Sequence, residues 1–309
     1  MTNISVTAMR KFRSRPTRSL LAGGLLLLSI SAGGARADDA PPPVPHWSGL
    51  PIWGVAAEAR GYAVPLPFGV GLTGYSARQP VNIQDLQLGR NGNPPVSVSN
   101  YLQIDEVDST QENLSLKLDV LVFPFLDVYA LVGETRGNTQ GVIQVPADPI
   151  LGIFEPRLLE LDADFSGPTY GAGLTLQGGT RVNDWRDLTA LVVADWNRTQ
   201  TNLSFANEAL IAETKPIATV FSARVGLHGT LGSSHGAAIW TGAMHQTIQQ
   251  EVAGSVADTE LQFIVVQSPA QPWNALLGGL FEFGEKGYVL LEGGFGKRKS
   301  ILAAAVYRF

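Results

Sequence analysis

Along much of this chain, apolar residues fall on every second position with polar or small residues between them. The clearest case is 111–122, where Leu114, Leu116, Leu118, Val120 and Val122 alternate with Ser115, Lys117 and Asp119. Successive side chains of an extended strand point to opposite faces, so this is a ribbon with one oily and one polar side. Phe123-Pro124-Phe125 follows at once, and Val128, Ala130 and Val132 then resume the alternation, which predicts a tight hairpin. Similar stretches at 68–77, 169–177, 187–198, 217–230, 237–246, 273–283, 286–297 and 301–309 bring the expected number of strands to about ten. Residues 52–63 read equally well as a turn of helix or an extra strand, and 96–107 as part of a strand; if both pair, the number is twelve. Eight is the lower alternative.

The connections carry a second pattern. They run long (78–110), short (123–125), long (137–167), short (178–186), long (199–216), short (231–236), long (247–272) and short (284–285). The last, Arg298-Lys299, is brief where a long one is due. Residues 137–167, with Pro146, Pro149 and Pro156 and no sustained period of two, read as a loop. Strands of ten or more residues exceed the globular norm of about five or six.

The chain ends with Ile301, Ala303, Ala305, Tyr307 and Phe309 in one apolar row and Ser300, Ala304 and Arg308 on the other side. With the connection pattern, this ending resembles the closing strand of a Gram-negative outer-membrane β-barrel. The resemblance is to the broad porin-like and OmpA-barrel-like class, with no specific family. It implies an all-β fold: a closed, antiparallel, up-and-down transmembrane barrel over 68–309. Short turns would face the periplasm and long loops the exterior. It implies outer-membrane lipid and lipopolysaccharide as surroundings, and the barrel assembly machinery as a partner through the C-terminal strand. Aromatics fall where two interfacial girdles belong. Tyr170, Trp196 and Trp273 mark the outer rim, and Phe123, Phe125, Trp185, Tyr288 and Phe309 the inner one.

The beginning of the chain agrees with export. Arg10, Lys11, Arg13, Arg15 and Arg18 precede the apolar run 20–30 and the sequence Ala35-Arg36-Ala37, the order of a secretory signal peptide cleaved after Ala37. Eleven apolar residues are too few for a helical span of about twenty. A proline-rich periplasmic leader is expected over 38–67. Cleavage removes six of 22 basic residues and none of 27 acidic ones, leaving a net charge of −11. That balance disfavours nucleic acid as a partner. The absence of cysteine excludes disulfides and thiolate chemistry.

Candidate chemistry lies on the polar faces. Lys117, Asp119, Asp127, Arg224, His228, Glu282 and Glu292 sit within apolar strands, where a lipid-facing charge near the midplane would cost a few kcal/mol. They are expected to point inward as a network that plugs the lumen or lines a thin passage for a small solute. The favoured reading is a passive channel or envelope-structural protein. The alternatives are an outer-membrane lipid-modifying enzyme, of lipid A deacylase or acyltransferase type, and a surface receptor or adhesin acting through its long loops. An enzyme would need a nucleophile, base and acid within hydrogen-bond reach. Ser222 and His228 are about 20 Å apart along one strand, leaving His245 with Asp195 as the pairing to examine. The acids of 105–108 and 162–164 do not match a calcium loop and read as solvated carboxylates. No cofactor, metal or catalytic residue is assigned.

Overall fold

The computed structural model describes residues 49–60, 62–90, 92–101, 103–104, 107–145, 157–183, 187–207, 210–232, 235–256, 260–284 and 286–309. The expected signal peptide and Trp185 lie outside them. In chain order the elements are a short helix α1 (Gly54–Glu58), then β1 (Phe68–Arg90), β2 (Val96–Ser97), β3 (Gln103–Ile104), β4 (Val107–Phe123) and β5 (Leu126–Val145). There follow β6 (Arg157–Asn183), β7 (Leu188–Thr201), β8 (Leu203–Asn207), β9 (Leu210–Thr214) and β10 (Ile217–Leu231). The chain finishes with β11 (His235–Val256), β12 (Leu261–Pro269), β13 (Trp273–Phe283), β14 (Gly287–Phe295) and β15 (Lys299–Arg308).

Ten strands close a ring. β1 pairs with β4, and the circuit runs on through β5, β6, β7, β10, β11, β13 and β14 to β15, every pair antiparallel. β15 returns to β1 from Gly69 opposite Arg308 to Arg78 opposite Lys299. Closure leaves the ring no free edge, the condition for strands to sit in hydrocarbon. The alternating pattern fixes which face is which. Leu72, Leu118, Val132, Val225, Ile239, Leu277, Leu291 and Ile301 are exposed on the outside, whereas Leu302, Ala304, Val306 and Arg308 of the last strand are buried inside. So large a belt of exposed apolar side chains marks a lipid-facing surface. The molecule is an outer-membrane-type β-barrel, and no described helix is long and apolar enough to cross a membrane.

Aromatics flank the belt. Tyr170, Trp196 and Trp273 are exposed toward the long-loop end, and Phe125 and Phe309 at the tight-turn end, where Phe123 stacks on Phe125. Tyr288 departs from the expected girdle: it is buried inside the barrel, because the alternation of β14 turns it inward while Val289 and Leu291 face out. Of the two readings for 52–63, the helix is found. The Ile52 amide donates to the Val122 carbonyl at 2.8 Å, and the Trp53 ring lies 5.0 Å from that of Phe123.

The long connections contain much more strand than their sequence suggests. The segment read as a loop over 137–167 is strand from 137 to 145 and again from 157, with β5 and β6 paired out to Val145 opposite Arg157. β1 likewise continues to Arg90, and β11 to Val256. Here the inner face stays packed, with Val107, Thr139, Ala163, Phe165 and Val252 buried, while outer positions such as Gln140, Asp162 and Asp164 are polar and exposed, so the oily outer row disappears while backbone pairing persists. Within this region Asp85 accepts hydrogen bonds from Ser97, Gln87 and Ser99, which hold its carboxyl below the usual carboxylate range.

These extensions build a second closed circuit above the first. Its members are β1, β4, β5, β6, β8, β9, β11 and β12: β6 pairs with β8, β8 with β9, β9 with β11, β11 with β12, and β12 with β1. Two strands, β8 and β9, take over from β7 and β10. The single strand β12 takes over from the three strands β13, β14 and β15. Barrel diameter scales with strand number, so the upper collar is roughly a fifth narrower than the ring beneath it.

Prolines mark the handover points. Pro80 and Pro269 sit where β1 exchanges β15 for β12, and the Pro80 carbonyl accepts from Ala270 N–H. Thr201 N–H donates to Pro216, Asn202 N–H to Pro168, and Gln246 N–H to Pro272. A proline ends one ladder by lacking an N–H, yet its carbonyl can begin the next. Gly167 is required at the Asn202 junction, since a Cβ there would overlap the Asn202 carbonyl oxygen.

A charge introduced on the outer face should be costly. Leu291→Arg near mid-strand is expected to destabilise the folded barrel in lipid vesicles by about 2–4 kcal/mol, read as a lower urea midpoint; Lys at the exposed rim position Phe295 should change it far less.

Candidate functional site

The inward face of the lower ring is filled, and its polar groups are grouped into ion-paired clusters. Nearest the chain end, Arg308 pairs with Asp119 and donates through Nε to the Leu66 carbonyl at 2.9 Å. Lys117 lies 3.3 Å from Asp127 and 3.6 Å from Asp119, with its ammonium 4.3 Å from the centre of the Tyr129 ring. Two cations and two carboxylates thus balance in a buried group. Gly69 makes room for it, because a Cβ at that position would strike the Asp119 carboxylate.

Asp195 forms a second cluster. Its carboxylate accepts from Tyr129 Oη at 2.9 Å, Thr175 Oγ1 at 2.9 Å and Asn197 Nδ2 at 3.1 Å. In the third, Arg224 holds Glu292 in a two-pronged pair, Nε to Oε2 at 2.6 Å and Nη2 to Oε1 at 2.8 Å. Its remaining nitrogen donates to Ser222 Oγ at 2.8 Å, and Trp240 Nε1 donates to Glu292 Oε2 at 2.7 Å. The Trp240 indole lies flat against Gly278, where a Cβ would come within 2.7 Å of the ring. Around this cluster, Leu191, Val193, Leu280, Tyr288, Leu290 and Val306 fill the remaining space. A smaller pair, His228 with Glu282 at 3.1 Å, sits close to the tight turns.

Above this floor the lumen opens into a cavity of about 150 Å³. Its wall is mostly uncharged and polar: Thr135, Thr139, Thr169, Thr199 and Thr201 with Gln79, Gln111, Gln246, Gln250 and Gln267. Leu131, Phe165, Met244, Leu276 and Leu302 supply apolar patches, and Ser268 and Pro269 of β12 contribute from the collar. Hydroxyl and amide groups around a cavity this small suit an uncharged or singly charged solute about the size of a benzene ring.

All seven charged residues singled out from sequence lie on the inner side of the wall. They lie in clusters of which the first two are joined by Tyr129, its ring under the Lys117 ammonium and its hydroxyl on Asp195, with Arg308, Asp195, Tyr129 and Trp240 as members that sequence reasoning left out. Arg308 was legible on the inner face of the last strand; its partners were not, because they come from β4 and β5 across the ring closure. The Asp195 and His245 pairing is not assembled: Asp195 is buried inward, whereas His245 faces the other way beside Trp273, ring centres 4.8 Å apart. Among the described residues no group of three or more potential metal ligands occurs. Asp162 and Asp164 are bridged by the Asn138 amide at 2.6 and 2.8 Å.

No family model matches the chain, and no curated protein matches it. Among solved structures it is similar to the outer-membrane protein OprG from Pseudomonas aeruginosa, at 12% identity and a TM-score of 0.40 over 80% of this chain and 99% of that one. The transport unit of the autotransporter AIDA-I from Escherichia coli matches at 10% identity and 0.39, over 79% and 90%. The Ralstonia pickettii toluene transporter TbuX matches at 11% and 0.30, over 79% and 90%. These overlaps are loose; the barrel of this chain is established by its own strand pairing.

The buried pair has a direct signature. Glu292→Leu alone strands Arg224 and should cost about 3–5 kcal/mol in urea unfolding, whereas Glu292→Leu with Arg224→Met should restore most of the loss. Gly278→Val should displace Trp240 from Glu292 and shift the indole fluorescence without opening the ring.

Proposed function

We propose that the protein is a passive outer-membrane channel of the occluded kind, which binds a small solute in its outer cavity and lets it pass when the packed floor rearranges. The observation that carries this reading is the contrast within one lumen. The upper half is a cavity walled by hydroxyls and amides, and the lower half is closed by paired charges and packed side chains. A purely structural plug has no need of a polar cavity above it, and an open pore would not fill its own constriction. Neutral polar walls offer exchangeable hydrogen bonds that favour entry without trapping the solute.

Ion pairs in the floor suit it to be a gate. A fully paired charged layer is rigid while intact, yet loses much of its cohesion when a single partner moves. Lys117 is shared between Asp119 and Asp127, so it can shift from one to the other while the charge balance is kept.

Two measurements on purified full-length protein test this. In planar bilayers the wild type should show rare, brief openings, and Trp240→Ala, which removes the bulkiest side chain of the floor, should raise the mean conductance at least several-fold. In liposome swelling, solutes no larger than one six-membered ring should enter faster than larger ones of the same charge. Silence of both proteins in bilayers together with no solute-dependent swelling would overturn the channel reading.

A further inference from the structure

Four cationic side chains are buried among the described residues: Lys117, Arg224, Arg298 and Arg308. Three have carboxylate partners. Arg298 does not. It is 1% exposed, and Nε, Nη1 and Nη2 all lack a hydrogen-bond partner. An isolated guanidinium held away from water is costly, so an anion bound beside it would be strongly favoured.

Its place in the fold says where that anion belongs. Arg298 closes the brief β14–β15 turn, and the alternation of β15 puts it on the inner side with Ser300 and Leu302, both of which line the cavity. Arg78 is opposite Lys299, so the next inward position on β1 is Gln79, another cavity residue. The Tyr75 hydroxyl, which bonds Ser300, lies within electrostatic reach of the guanidinium. This is the level at which β12 replaces three strands of the lower ring.

Further unused polar atoms gather at this level. Asn274 is buried with both Nδ2 and Oδ1 unpartnered, and Gln79 Oε1 is unpartnered too. A Cβ on Gly294 would meet Asn274 Nδ2 and Ser300 Oγ, and one on Gly296 would meet Asn274 Oδ1, so these glycines make room for the Asn274 and Ser300 side chains. Among the described residues no acid pairs with Arg298. Glu292 is occupied by Arg224 and Trp240, and Asp108 by Arg78.

Resting on the channel reading, we propose that Arg298 and Asn274, which lie behind the Ser300 and Gly294 stretch of the cavity wall rather than on its surface, form the receptor for the carboxylate of a small organic acid that enters through the outer cavity. Arg298 presents donors in a fork that matches a carboxylate, and Asn274 Nδ2 adds another. Asn274 Oδ1 and Gln79 Oε1 then accept from a hydroxyl or other donor on the same molecule. The solute class is a compact monocarboxylate bearing a hydrogen-bond donor, with a body no larger than one six-membered ring.

The test is calorimetric titration of the detergent-solubilised full chain with 4-hydroxybenzoate and with its uncharged counterpart, 4-hydroxybenzamide. The acid should bind at least tenfold more tightly than the amide. Arg298→Gln should bring that ratio close to one, while Arg298→Lys should keep part of it. In the absence of solute, Arg298→Met should unfold at the same urea concentration as wild type or higher, because it removes a solitary charge; an arginine with a merely structural role would give a lower midpoint. Equal affinities for acid and amide in the wild type, an undiminished ratio in Arg298→Gln, or equally tight binding of inorganic phosphate would overturn the assignment. Binding of the acid without any solute passage would leave this receptor standing and remove the channel reading; passage of neutral solutes with no preference for the acid would do the reverse.

Discussion

A backbone amide surrounded by hydrocarbon has no water to bond, and this requirement governs the whole molecule. Each unpaired group would cost several kcal/mol, so strands can occupy a bilayer only in a ring that returns to its start. The meeting of β15 with β1 satisfies it. Once the ring is closed, the two-residue period leaves each side chain one of two environments. Leu291 and Ile301 face lipid; Glu292 and Leu302 do not.

The interior obeys the same rule of compensation at the level of side chains. Lys117, Arg308, Asp119 and Asp127 are tolerable together and expensive singly, as are Arg224 and Glu292. Their pairing explains how the lower lumen can be both strongly polar and tightly packed. Trp240 joins the two modes, filling space with its ring while its N–H completes the coordination of Glu292. Above it the chain changes vocabulary from charge to threonine and glutamine, and packing gives way to a cavity. Arg298 is the exception to compensation, and for that reason it stands out from the other buried cations.

The ring was readable from sequence because lipid imposes a pattern on it. Leu114, Leu116 and Leu118 alternate with Ser115 and Lys117 for no reason other than the two media they face, and the inward direction of Lys117 and Asp119 follows from that alone. The upper collar was read less well. Residues 137–145 and 157–167 pair along their whole length, but Asn138, Thr139 and Gln140 look like loop, and the prolines between the two segments obscure the alternation of Leu159, Leu161, Ala163 and Phe165 with Glu160, Asp162 and Asp164. Tyr288 was misplaced for a different reason: proximity to a turn suggested an interfacial ring, whereas the parity of its position, one away from Val289, decides the matter. The partners of each charge were also hidden. Arg224 and Glu292 are 68 residues apart in sequence, and only closure brings them together.

The proline handovers give the barrel a modular construction. Because Pro80, Pro168, Pro216, Pro269 and Pro272 sit where β7, β10 and β13–β15 give way to β8, β9 and β12, those three replacement strands start ladders of their own, whereas β1, β4, β5, β6 and β11 carry one register through. Length changes in β8, β9 and β12 can therefore be absorbed without a slip propagating into the bilayer. Such a boundary lets an envelope protein remodel the surface it shows to phages, antibodies or neighbouring cells, while the part that must insert and fold stays untouched.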